Sequence, residues 1–173
     1  MNLNDLLFHA CRAPLSAAGT GLLLPALALL LLLPLTSAAD APEGYPFLPF
    51  DQAMAQSKRL AKPLFVYFGR YGCGYCEKTN REAFIDPSVR ERYTANYSLA
   101  YVDAESGRRI RLHSGERITE RELGTRYNAL VTPVFTFLTP NGDPIYRMIG
   151  VQRIEDLIEA DKRIQAALSK AIP

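Results

Sequence analysis

Cys73 and Cys76 stand two residues apart in the stretch Arg70-Tyr71-Gly72-Cys73-Gly74-Tyr75-Cys76-Glu77-Lys78. Thiols at i and i+3 of a helix start lie on one face and come close enough to bond to each other. The first sulfur meets the unpaired N–H groups and positive dipole end of the first turn, which stabilise a thiolate. These residues suit a reversible dithiol/disulfide. Three other uses weigh less. Structural zinc needs two more ligands, and beyond the N-terminal segment the chain offers only His113 and scattered carboxylates. Covalent haem attachment needs His after the second cysteine, where this chain has Glu77. A purely structural disulfide across so small a ring removes little unfolded-chain entropy.

The elements that must hold the pair are legible around it. Leu64-Phe65-Val66-Tyr67-Phe68 is an unbroken apolar run of strand length, the mark of a strand covered on both faces. Glu77 to Phe84 suits the helix that the cysteines open. Upstream, Asp51 reads as the N-cap of a helix with Phe50, Met54, Leu60 and Ala61 inward, stopped by Pro63. Downstream, Asp86 caps and Pro87 opens a helix to about Ala95, with Asn96 as its stop. Ser98 to Asp103 is a second central strand, and a helix between two apolar strands demands a parallel crossover. Arg109–Leu112 against Glu116–Thr119 reads either as a small hairpin or as a solvated loop. Its arginines Arg108, Arg109, Arg111 and Arg117 fit an exposed charged loop better than a dock for an acidic partner.

Thr119 and Glu122 form a capping box for a helix to Tyr127. Val131 to Leu138 is a strand with Pro133 at its mouth, and Thr139-Pro140-Asn141-Gly142-Asp143 is turn chemistry. Ile145 to Ile149 returns antiparallel, Gly150 ends that strand, and Ile154, Leu157, Ile158, Ile164 and Leu168 mark a final helix. The fold class is α/β: one domain, a mixed sheet with helices on both faces.

The chain has 173 residues and a formal net charge of +2, without the basic run that a nucleic-acid partner would call for. From Ala13 to Ala39 no residue is charged. The Leu-rich heart and Ser37-Ala38-Ala39 before Asp40 make residues 1–39 a secretory signal peptide by their parts. The rival is an uncleaved membrane anchor, disfavoured by Pro25 and Pro34; either way the domain lies outside the cytoplasm, in the periplasm. Cys11 leaves with the leader, so the mature chain keeps only the pair. Residues 40–49, with Pro42, Pro46 and Pro49, read as an extended linker or arm, and residues 50–173 as the domain.

Cys73-x-x-Cys76 after the apolar strand, Thr132-Pro133 before the next and Gly150 before the last helix resemble the thioredoxin fold. The resemblance spans Phe50 to about Leu168. Lys62-Pro63 and Phe84-Ile85-Asp86-Pro87-Ser88-Val89 are similar to exported thioredoxin-like proteins, including those of periplasmic sulfur oxidation and the C-terminal domain of the transmembrane thiol-disulfide interchange protein. Gly74-Tyr75 with Thr132-Pro133 resembles the periplasmic disulfide isomerase. The resemblance implies a cis Pro133, Thr132 brought against an exposed Cys73, and a substrate peptide added as a strand along Thr132. Gly74, Tyr75, Thr132 and Pro133 then contact substrate, and Cys73 and Cys76 are the catalytic, redox-active pair. Two departures stand out: Gly72 replaces the tryptophan before the first cysteine, and Tyr67 replaces the buried acid six residues before it. The proton of Cys76 therefore needs another acceptor.

The expected function is an exported thiol–disulfide oxidoreductase that reduces protein or small-molecule disulfides. It needs no cofactor, acts as a monomer, and is itself reduced by a membrane-bound electron donor. Arg70 stands where it could lower the Cys73 pKa, although an arginine at a strand end is more often solvated. The alternatives are a disulfide isomerase or oxidase, a binding module on the same fold, or a Cu(I) carrier, for which no methionine or histidine cluster stands near Cys73.

Overall fold

The computed structural model describes residues 41–171; the expected leader and its cleavage motif, and Cys11, lie outside the described residues. The elements run α1 (Phe50–Leu60), β1 (Leu64–Gly69), α2 (Gly74–Thr79), α3 (Pro87–Asn96), β2 (Ser98–Asp103), β3 (Arg109–Arg111), β4 (Arg117–Thr119), α4 (Glu120–Arg126), β5 (Val134–Leu138), β6 (Pro144–Ile149) and α5 (Ile154–Ala171). Four strands form one sheet in the order β2-β1-β5-β6, and β3 and β4 form a separate two-stranded ribbon. β1 runs parallel to β2 and antiparallel to β5, and β5 runs antiparallel to β6. The sheet is mixed, as expected.

β1 is buried along its whole length. Because side chains alternate across a strand, Phe65 and Tyr67 enter one core and Leu64, Val66 and Phe68 the other. The first core is aromatic. Phe65 stacks on Phe135 at 5.9 Å and meets Tyr93 edge-on at 4.9 Å, closed over by α3 and α5. The second packs under α1, α4 and the ribbon, through Phe50, Ala53, Ile110, Ile118 and Leu123. Burial of Ile110 and Ile118 settles the 109–119 segment as a hairpin. Arg108 is not simply solvated: its Nε donates to the buried Glu120 carboxylate at 3.0 Å.

Two expectations for α1 are corrected. Its N-cap is Pro49, not Asp51, and the Pro49 carbonyl accepts the first helical bond from Ala53 N–H at 2.9 Å. Its inner face is Phe50, Ala53 and Ser57, with Leu60 49% exposed. At 100° per residue Leu60 is turned roughly 80° from Phe50, away from the sheet. Ala61 leaves the helix in the left-handed region at φ 52°, and Pro63 follows.

The other helix signals are where the sequence put them. Asp86 accepts from the Ser88 and Val89 N–H groups with Pro87 in the first turn, and its carboxyl is held below the usual range chiefly by the Ser88 hydroxyl. Thr119 and Glu122 form the capping box. Residues 41–49 form an arm that turns at Glu43–Gly44, with Gly44 at φ +77°, and it is packed rather than free. Leu48 bridges β2 through Leu48 N–H to Leu99 O (2.9 Å) and Tyr101 N–H to Leu48 O (3.2 Å). The Tyr45 hydroxyl donates to Phe84 O at 2.9 Å, and burial holds its pKa well above the usual phenol value. The arm thus covers an edge strand that would otherwise present unpaired backbone groups.

Candidate active site

The chain leaves the centre of the sheet at Gly69, where any Cβ would fall 2.5 Å from the Tyr101 hydroxyl. Gly72 then takes φ +66°, a conformation that costs glycine little and other residues more. That bend swings Cys73 into the N-cap position of α2. Cys73 and Cys76 are joined by a disulfide with Cα atoms 5.2 Å apart. The Cys73 sulfur accepts the Cys76 N–H at 3.1 Å, as an N-cap oxygen would.

From the mouth of the neighbouring strand β5, Thr132 donates its hydroxyl to Cys73 Sγ at 3.2 Å. The Thr132–Pro133 peptide bond is cis, and the Pro133 carbonyl accepts from Gly150 N–H at 2.8 Å, tying the mouth of β5 to the end of β6. The structure therefore brings together Cys73, Cys76, Thr132 and Pro133, drawn from segments some 60 residues apart in sequence. Gly74 and Tyr75 are exposed on the first turn of α2.

One expectation is corrected. Cys73 is 3% exposed, far less open than a helix-start nucleophile should be, because the Cys76 backbone and the Thr132 side chain hem in its sulfur. Cys76 is wholly buried. What is open is the surround. Tyr71 and Tyr75 flank Cys73 in the chain, Leu130 and Val131 lead into Thr132, and all four are large exposed apolar side chains.

Tyr67 is fully buried on β1, and its hydroxyl donates to Asn80 Oδ1 at 3.1 Å and lies 3.4 Å from the Cys76 carbonyl. Asn80 opens a π-helical turn, Asn80–Phe84, that continues α2. Sequence reading missed Asn80, and the pattern of α2 carries no signal for that wider turn. Arg70 is neither simply solvated nor a free charge beside Cys73: it pairs with Glu105, 35 residues away, at 3.1 Å.

A sulfur that accepts two hydrogen bonds and is linked to a second, buried sulfur can exchange with a docked thiolate as the disulfide, or, once reduced, attack a docked disulfide. Among known proteins, the family model described as a thioredoxin-like domain matches residues 50–164. No curated sequence matches significantly. A thioredoxin from Thermus thermophilus superposes with a TM-score of 0.57 at 24% identity, covering 69% of this chain and 86% of that one. The DsbH oxidoreductase gives 0.54 at 16% identity, covering 70% and 85%. The C-terminal domain of Neisseria meningitidis DsbD, in its reduced form, gives 0.51 at 15% identity, covering 65% and 90%. At these identities the structural likeness is one of fold.

Proposed function

The chain belongs to the thioredoxin-like domain family and, with its Cys73–Cys76 pair, is a thiol–disulfide oxidoreductase; within that class we propose an exported reductase of disulfides. The observation that carries this reading is the Cys73 sulfur with two donors aimed at it, Cys76 N–H and the Thr132 hydroxyl. Both stabilise negative charge on the sulfur that must be a thiolate to attack. Cys76, buried and without that surface, suits the resolving role.

The steps balance as two exchanges. The Cys73 thiolate attacks one sulfur of the substrate disulfide; a Cys73–substrate S–S bond forms, the substrate bond breaks, and the departing thiolate takes a proton from solvent. Cys76 then gives its proton to water, and its thiolate attacks Cys73 Sγ. The Cys73–Cys76 bond forms and the second substrate thiol leaves, so two electrons have passed from the dithiol to the substrate. The two sulfurs carry both electrons, and no cofactor takes part. A peptide laid in extended form along Thr132 gains backbone hydrogen bonds there, with Gly74, Tyr75 and Pro133 beside it. The exposed Tyr71, Tyr75, Leu130 and Val131 give a protein substrate apolar area to cover.

The chain acts as a monomer, is exported by residues 1–39 to the periplasm, and is returned to the dithiol by a membrane-bound donor. The test is the redox state of the pair in intact cells, fixed by acid quench and alkylation. A mainly reduced pair supports the reductase, whereas a mainly oxidised pair makes the protein an oxidase. Sequencing the mature N-terminus tests export: a start within a few residues of Asp40 is expected, and an intact leader in the membrane fraction would show an anchor instead.

A further inference from the structure

Thr132 has a second neighbour besides Cys73. It lines a cleft of about 290 Å³ together with Arg70, Glu105, Arg121, Thr125 and Leu130. The cleft therefore begins one side chain away from the reacting sulfur. In an extended peptide laid along Thr132 each residue advances about 3.3 Å. A side chain one or two positions from the attacked half-cystine falls into this space.

The walls carry more positive than negative charge. Arg70 pairs with the Glu105 carboxylate at 3.1 Å. Arg121 instead donates Nε and Nη2 to the Glu105 backbone carbonyl, at 3.2 and 2.6 Å. Among the described residues Arg121 enters no ion pair. Glu105 thus positions two guanidinium groups and offsets the charge of only one. The support is rigid. A Cβ on Gly124 would lie 3.2 Å from Ala104 Cβ, so α4 is pressed against the loop after β2. Arg121 and Thr125, at i and i+4, present one face of that helix to the cleft. A guanidinium carries five N–H donors in a planar fork that matches a carboxylate, and the bond to Glu105 takes one from Arg70.

We infer that this cleft is a carboxylate-binding subsite, which selects disulfide substrates bearing an acidic side chain next to the attacked cysteine. The inference rests on the exchange chemistry proposed for Cys73 and deepens it by naming the substrate class. Leu130, 77% exposed at the cleft's edge, covers the apolar stem of such a side chain.

The experiment uses disulfides of short peptides that differ only in carrying Glu, Gln or Lys at one of the two positions on either side of cysteine. Oxidation of the reduced protein is followed by stopped flow, and each rate is normalised to the same peptide's reaction with dithiothreitol, which removes differences in intrinsic reactivity. At low salt, Glu at one or more positions should react about threefold faster than Gln, the scale of a partly exposed ion pair, with Lys slowest. The preference should shrink as salt rises. Arg121→Gln should bring the Glu-to-Gln ratio towards one, while Arg109→Gln, which removes an exposed arginine of the ribbon, should keep the wild-type ratio. Equal normalised rates for Glu and Gln at every position, or a ratio unmoved by Arg121→Gln, would overturn the subsite and leave the exchange reading intact. No reaction with any peptide would overturn both.

Discussion

Thr132→Val exchanges a hydroxyl for a methyl group of nearly the same shape and removes one of the two donors on the Cys73 sulfur. A hydrogen bond to a charged group contributes about 1.5–3 kcal/mol. Thr132 is only half-buried, so the lower end applies, and at 1.36 kcal/mol per pKa unit the Cys73 pKa should rise by about one unit. The same loss falls on the reduced form, whose thiolate is less stabilised. With 30 mV corresponding to about 1.4 kcal/mol, the potential should become more reducing by about 30 mV. The pKa is read from the pH dependence of thiolate absorbance in the ultraviolet, and the potential from equilibration with glutathione followed by alkylation and mass counting. Thr132→Ser keeps the hydroxyl and should restore most of both values. A valine variant with unchanged pKa and potential would show that the Thr132 contact does nothing for the thiolate, and the argument from that sulfur's donors would fall.

The wild-type potential should lie at roughly −150 to −230 mV: Gly74-Tyr75 lacks both the charge-adding His of strong oxidases, near about −120 mV, and the Gly-Pro of thioredoxin, near about −270 mV. A value below about −270 mV would refute the interpolation. Asp161, 1% exposed, accepts from Arg92, Asn96 and the Tyr97 hydroxyl between α3 and α5. Asp161→Ala leaves those donors unanswered and should cost about 3 kcal/mol, or roughly 10 °C in Tm by thermal denaturation; an unchanged Tm would contradict the network. The Asp86 carboxyl is held below its usual range by the Ser88 hydroxyl and the N-cap bonds. Its folded pKa is thus depressed, and its contribution is fully present above the ordinary carboxyl value of about 4 and lost as pH falls through the folded value. Asp86→Ala should therefore lower Tm clearly at pH 7 and progressively less below about pH 4; a gap that grew on acidification would reverse the sign argued here.

What the sequence disclosed was whatever local chemistry decides. The run Leu64–Phe68 could only be a doubly covered strand, and it is fully buried. Asp86-Pro87 and Thr119-x-x-Glu122 carry their cap bonds within four residues, and both caps formed. The cysteine spacing fixed the pair, and the resemblance supplied Thr132 as its neighbour. What stayed hidden depends on partners distant in the chain. The cap of α1 lies two residues before Asp51, at Pro49, and which stripe of the helix meets the sheet, with Ser57 inward and Leu60 outward, is decided by packing against distant elements. The arm gave no sign that Leu48 would pair with β2, because its prolines obscure any strand pattern. The burial of Cys73 depends in part on Thr132, 59 residues on at the mouth of the neighbouring β5. Arg70 and Arg121 meet only through Glu105, in the loop after β2, so no local pattern could place them in one cleft.

The central claim, that Cys73 attacks and Cys76 resolves, is tested most directly by trapping. The reduced Cys76→Ser protein is mixed with a disulfide-bonded protein such as insulin, and disulfide-linked adducts are counted by mass after alkylation. The account predicts a stable mixed disulfide on Cys73 of the Cys76→Ser variant, little or none on the Cys73→Ser variant, and loss of insulin reduction in both. Equal trapping by the two variants, or full activity in either, would contradict it.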